Sequence, residues 1–375
     1  MKVNINPRFF KSFDWLTFAV IIVLALIGIA TIYSATRPIT APEHPDFYLK
    51  QMVWLSISVA ALLIVISFDY VWLYRFSMPL YGVGFFLLVF VLFVGRTTMG
   101  AQRWISLGPL SFQPSEFFRV VFIIAASAFL SRSGQHIQKD VFLKSLVLFG
   151  IIPLALLIKQ PDLGTAVLLA TILVTLLLSK GVSRRVITVV VIVALISVPF
   201  VGHILWEGLK DYQKNRIIAF MDPDVDPAGI GYNINQSKIS IGSGGLFGKG
   251  YLKGTQGPLR FLPEKHTDFI FAVYSEEWGF AGSLFLVAVY LVLFLRGLDT
   301  AVKAKDEFGR LLATGITFMF FIYFFVNIGM TLGMMPVVGV PLPFVSYGGT
   351  ALLSNFIAAG ILINIRTRRF ELFYP

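Results

Sequence analysis

The chain has 375 residues, 57% hydrophobic and only 14% charged, where a soluble globular chain carries about 25% charged residues. Its formal charge is +11 and it contains no cysteine. This composition leaves no room for a large soluble domain and excludes disulfides, thiolate metal sites and cysteine catalysis. It also makes nucleic acid a poor partner, because the basic residues are dispersed among short loops.

Apolar runs of near-membrane length recur along the whole chain. They predict ten spans, at about 14–35, 48–67, 77–95, 114–131, 142–159, 163–180, 185–206, 268–295, 310–334 and 345–366. The expectation is an all-α polytopic membrane protein, one transmembrane domain over residues 1–375, with a long external loop at 207–266 between spans seven and eight. The first run is too long for a cleavable signal. Orientation follows from the loops. With the N-terminus inside, cytoplasmic segments hold 17 of the 31 Lys and Arg residues and short external loops hold six; the long loop is not counted against the rule. Both termini are then cytoplasmic, and the unusual polar segments gather on the outer face.

The third–fourth connection, GRTTMGAQRWISLGPLSFQPSEFFRV, has an apolar face that includes Trp104, Ile105 and Leu107. It reads as an interfacial re-entrant or amphipathic element. Pro114 and Glu116 suit a helix start, while Arg103 and Arg119 are placed to snorkel toward lipid phosphate. In KQPDLGT, Lys159 and Asp162 form either a mutual ion pair with Asp162 capping the sixth span, or the charged floor of a substrate cavity.

Within the long loop, Asp222, Asp224 and Asp226 alternate, but the spacing lacks the glycine and terminal glutamate of an EF-hand, so an Asp-Pro turn series is the better reading. GSGGLFGKG with Lys249 is not a Walker motif. It is either a glycine turn or a backbone cradle for a diphosphate. HTDFIFAVYSEEWGFAG follows. Thr267 suits an N-cap and Asp268 a first turn. Ala272, Ser275, Glu276, Gly279 and Ser283 share a helical face with Asp268, which puts Glu276 about 12 Å below it. In MMPVVGVPLPFVSYGG the prolines deny helix, and Ser346 and Tyr347 are either turn residues or the lining of a polar site.

Together, FLPEKHTDFIFAVYSEEWGFAG, GAQRWISLGPLSFQPSEF, KQPDLGTA and PLPFVSYGGT resemble the SEDS family (shape, elongation, division and sporulation), and its elongation member more than its division member. The resemblance covers essentially the whole chain. It implies a ten-span peptidoglycan glycosyltransferase of the bacterial cytoplasmic membrane. The implied substrate is lipid II, a disaccharide-pentapeptide on undecaprenyl pyrophosphate. Implied partners are a class B penicillin-binding protein and other elongation-machinery membrane proteins. The family's essential aspartate falls on Asp268, and the Trp of its QRW motif, associated with control by the partner, on Trp104.

Such a reaction inverts an α-linked donor and needs a base, assigned here to Asp268. A helix N-terminus would weaken that base; burial or Glu264 would offset this, or Asp268 would hold a divalent cation such as Mg or Mn against the diphosphate. No organic cofactor is expected. Candidate substrate contacts are Arg103, Glu116, Lys159, Asp162, Arg216, Lys249, Lys265, His266 and Ser346. Two other classes fit the same residues: a lipid II flippase, and a non-catalytic scaffold for a transpeptidase.

Overall fold

In the computed structural model of the chain, residues 12–37, 46–98, 101–107, 110–134, 137–182, 211–222, 229–255 and 264–369 are described, with Thr188, Glu207 and Leu262 as isolated positions. The elements are α1 (Trp15–Thr36), α2 (Phe47–Ser67), α3 (Val71–Val94), β1 (Arg96–Thr98), β2 (Ala101–Leu107), β3 (Leu110–Phe112) and α4 (Pro114–Ser131). They continue with α5 (Lys139–Lys159), α6 (Leu163–Lys180), α7 (Asp211–Met221), α8 (Ile230–Ser243), α9 (Ile270–Val302), α10 (Glu307–Thr331) and α11 (Gly349–Thr367). Among the described residues nine helices, α1–α6 and α9–α11, are long and apolar enough to cross a membrane. The seventh predicted span, 185–206, lies outside the described residues apart from Thr188, as do Asp224 and Asp226.

The chemistry of each span follows its place. In α3, Phe86 and Phe93 face outward, as lipid demands. In α4 and α11 most residues are enclosed, and α4 packs against α3, α6, α10 and α11. Inside α5, residues Leu146–Ile151 form a π-helical turn just before Pro153. Proline lacks an N–H and clashes with the preceding turn, so the wider turn absorbs the conflict.

Three segments differ from the sequence expectation. The third–fourth connection, for which the sequence indicated no strands, is a three-stranded antiparallel meander, with Arg96 opposite Trp104 and Ile105 opposite Phe112. The alternation Trp104, Ser106 and Ile105, Leu107 carries a period of two that the glycines and prolines obscured. The long loop contains two helices, α7 and α8, and α8 packs on α9 and α10. Finally, α9 is interrupted. Gly279 has φ 66° and ψ −163°, which only glycine adopts readily. The shared face expected from Asp268 to Ser283 is therefore broken at its middle.

The glycine run 242–250 explains how the break is tolerated. Interrupting a helix orphans the backbone groups on each side. Here Lys249 N–H donates to the Glu276 carbonyl (3.0 Å) and Gly250 N–H to the Glu277 carbonyl (2.9 Å). Beyond the break, Phe280 N–H donates to Gly245 O (2.9 Å) and Ala281 N–H to Leu246 O (3.0 Å). A Cβ on Gly248 would collide with the Glu277 carbonyl, and one on Gly244 with that of Ser275. The run is thus an interlock with α9. The backbone N–H groups that a diphosphate cradle would need at Lys249 and Gly250 are already in use.

Two contacts between the antiparallel helices α1 and α9 act as a depth gauge. Near the inner end Arg296 pairs with Asp14; near the outer end Ser34 donates to Glu277. They are some twenty residues apart on either helix, about 30 Å of rise, which matches the hydrocarbon thickness. Glu277 therefore marks the outer boundary. On α10, Asn327 lies equally far from Glu307 and binds the Asp268 carbonyl (3.0 Å). Both ends of the stretch 268–277 thus sit at similar depth, so it runs across the outer boundary rather than down into the membrane. Glu276 is not a deep carboxylate.

Candidate active site

Asp268 does not lie in a helix. Helix α9 begins at Ile270, with Phe269 as its N-cap. Thr267, expected as the cap, instead turns its hydroxyl back to the Glu264 carbonyl (3.2 Å) and carboxylate (3.0 Å). Residues 264–269 form a tight turn, with Glu264 at φ 49°. Several neighbours hold this turn. Asn327 Nδ2 donates both to the Asp268 carbonyl and to the Val340 carbonyl (2.8 Å). Ser346 Oγ donates to the Thr267 carbonyl (2.6 Å) and accepts from Leu342 N–H (2.8 Å). Tyr347 N–H donates to the His266 carbonyl (2.9 Å). The His266 ring stacks on Phe47, with centroids 4.7 Å apart.

The carboxyl group of Asp268 faces the Pro-rich connection. A Cβ built on Gly339 would sit 3.4 Å from Asp268 Oδ2 and 3.8 Å from an Arg216 guanidinium nitrogen. A Cβ at these distances would make only ordinary contacts; what favours glycine there is its φ of 73°. Asp268 keeps some surface open, yet its carboxyl is enclosed enough to push its pKa up to about 6. Burial is the main cause, the Glu264 charge adds to it, and Arg216 opposes it. The weakening expected from a helix N-terminus is absent because no helix starts at Asp268. His266 is shifted down, chiefly by burial, with Glu264 opposing and Lys265 assisting.

Arg216, on α7, also lines a cavity of about 430 Å³. The walls are apolar, among them Leu163, Val167, Ile217, Ile322, Val326 and Val338, and Arg103 lies in the lining with Arg216. Arg103 reaches it from β2, pairs with Asp162 (3.3 Å) and donates to the Pro161 carbonyl. Asp162 caps α6 by accepting from Thr165 N–H (3.3 Å). Its ion partner is Arg103, not Lys159, whose side chain is exposed on the α5–α6 hairpin. Asp162 also lies within electrostatic reach of Glu116. Glu116 pairs with Arg119 (2.7 Å), which is buried rather than snorkelling, binds Ser354 (2.8 Å) and Asn355 (2.7 Å), and lies over the Tyr323 ring.

The fold therefore brings together Arg216, Asp268, Glu264, His266, Lys265 and Ser346, with Arg103 in the lining of the same cavity as Arg216; Asp162 stands behind Arg103 as its ion partner, and Glu116 is buried against Arg119 outside the lining. Trp104 is half-buried beside Arg103. Lys249 stands apart: it pairs with Glu276 (2.6 Å), which also accepts from Thr255 N–H (2.8 Å). Sequence reasoning missed Asn327, Gly339 and Gln213, a buried α7 residue that lines the cavity with Arg216. Asn327 carried a signal, being a lone amide in an apolar run; the other two acquire meaning only from three-dimensional neighbours.

Fold and site together define a multi-pass membrane protein with an ionisable centre on its outer face, next to an apolar cavity flanked by arginines. The chain belongs to the family of cell cycle proteins that includes FtsW, RodA and SpoVE, whose family model matches residues 14–371. It is 47% identical over 297 residues to the peptidoglycan glycosyltransferase MrdB of Escherichia coli K12, covering 77% of each chain. It is 34% identical to the peptidoglycan glycosyltransferase RodA of Treponema pallidum, covering 96% of this chain and 98% of that one. Among solved structures it resembles a chain of a peptidoglycan synthase complex that coordinates polymerization and crosslinking, with a TM-score of 0.80, 28% identity and coverage of 96% and 99%. It also resembles the rod shape determining protein RodA of Thermus thermophilus, with a TM-score of 0.70, 27% identity and coverage of 96% and 98%. The chain is accordingly a multi-pass protein of the bacterial inner membrane.

Proposed function

We propose that this chain is a peptidoglycan glycosyltransferase that polymerises lipid II on the outer face of the inner membrane during cell elongation, with Asp268 as general base. The relatives named peptidoglycan glycosyltransferase support the activity. The observation that carries the mechanism is Arg216, which belongs both to the apolar cavity and to the surroundings of Asp268. A polyprenyl diphosphate needs an apolar trough for its first isoprenoid units and positive charge for its phosphates. Arg103 and Arg216 supply the charge.

In the reaction, the acceptor hydroxyl attacks the anomeric carbon from the face opposite the diphosphate. The carbon–oxygen bond to the diphosphate breaks with its electron pair, leaving a stable anion that needs no proton. The hydroxyl proton passes to Asp268. A carboxylate with a pKa of about 6 is mostly ionised at pH 7 and is a stronger base than an ordinary aspartate. Among the described residues no cluster of three acidic or His side chains stands ready for a metal; a magnesium-type ion, if bound, would be held by Asp268 and Glu264 and would supply positive charge to the diphosphate. The crosslinking partner is a class B penicillin-binding protein, in keeping with the synthase complex the fold resembles.

The test incubates purified protein, with and without that partner, with labelled lipid II and a divalent cation. Glycan ladders from wild type and none from Asp268→Asn are expected. Full polymerisation by Asp268→Asn removes the base assignment, and translocation of lipid II without glycan product favours a flippase.

A further inference from the structure

The interlock at Gly279 has an unusual location. The depth gauge places Glu277 at the outer hydrocarbon boundary, yet the loop continues inward of it. Tyr251 donates its hydroxyl to the carbonyl of Ala30 (3.2 Å), four residues (about 6 Å of helix) inside Ser34. Leu246 abuts the break, its carbonyl accepting from Ala281. Irregular backbone at this depth requires that its polar groups be satisfied by protein. The cross-bonds to residues 276, 277, 280 and 281 do this, and Leu252 N–H adds a bond to Glu277 (3.1 Å).

The side chains on the loop are apolar and open. Leu246 is 59% exposed and Phe247 78%. They continue the exposed face of α9, where Trp278, Phe280, Leu284 and Phe285 point outward. Tyr251 packs near the Trp278 ring (6.2 Å), which in turn stacks on Tyr274 (6.3 Å). Aromatic rings with a polar tip gather where a bilayer meets water. An exposed phenylalanine at a water-facing loop tip has no such justification.

We infer that residues 244–252 form a re-entrant element whose Leu246–Phe247 tip inserts among the acyl chains of the outer leaflet, continuous with the lipid-facing side of α9. The occupant of this surface is lipid. Because the same loop is cross-bonded through the break in α9, insertion also fixes the depth of the segment that ends at Asp268.

The chain has no cysteine, so single-cysteine variants carry a spin label at one site only. Phe247→Cys is labelled in proteoliposomes and its collision rates with oxygen and with a water-soluble nickel chelate are compared. References are Leu291→Cys on the lipid face and Lys303→Cys on the cytoplasmic side. The expected oxygen-to-nickel ratio at 247 lies several-fold above that at 303 and shares the lipid character of 291. A ratio matching 303 overturns the proposal, and so does exclusion of both reagents, which would mean that protein covers the tip. If Phe247→Cys fails to fold, Leu246→Cys carries the same test, with the same outcomes.

Discussion

The two ends of the helix bundle solve the problem of charge in opposite ways. At the inner end ionised groups neutralise one another. Asp14 caps α1 and faces both Arg296 and Arg366; Arg366 also pairs with Asp299 (2.7 Å), and Glu307 receives Lys180 (3.1 Å) and Arg310 (2.6 Å). At the outer end Asp268 is placed near another carboxylate, Glu264, in a partly closed setting with Arg216 as its counter-charge. One end is a clasp; the other holds a group short of its comfortable charge state, which is how an enzyme tunes a base. If the contrast is right, substitutions at the outer end alter rate and its pH dependence, and those at the inner end alter stability alone.

The sharpest break is Asp268→Asn, expected to reduce polymerisation by about 10²–10⁴-fold with the fold intact, read as glycan ladder length and amount. Next is Asn327→Leu, which removes both bonds that tie the Asp268 turn to Val340. A misplaced base costs on the order of 10²-fold in rate, with a smaller change in lipid II affinity, measured by binding to the inactive protein. Smaller again is the pH effect. The acid limb of the rate profile is expected at about pH 6. Glu264→Gln removes a charge that raises the Asp268 pKa, so the limb moves to lower pH; Arg216→Met removes one that lowers it, so the limb moves up. A profile that stays put in both variants dissolves the contrast. At the inner end, Asp14→Ala should cost roughly 2 kcal/mol of stability by leaving arginine partners unsatisfied, seen as a lower melting temperature, with unchanged rate per folded molecule.

Much of this contrast was legible from residue pattern, for a physical reason. Spans are written in long apolar runs, and α4 and α6 begin and end where proline, the capping Asp162 and Gly181 say they should. The outer-face motifs could be gathered by orientation alone, and Asp268 stood out among them. What stayed hidden depends on contacts between distant segments. Arg103 pairs with Asp162 rather than leaving it to the adjacent Lys159. The glycine run is explained by the break at Gly279, about thirty residues away, which no local rule anticipates. The helices α7 and α8 were obscured by a loop rich in polar residues, since amphipathic helices at an interface lack the apolar runs that mark a span.

The raised pKa of Asp268 also has a thermodynamic side. Its folded value of about 6 exceeds the ordinary 3.8, so between those values the native state binds more protons than the unfolded chain. Stability then falls as pH rises through that window and stays lower above it. The protein carries its reactive group at a standing cost, about 3 kcal/mol at neutral pH. An inactive Asp268→Asn protein should accordingly melt at a higher temperature than wild type at pH 8, and the advantage should vanish below about pH 4.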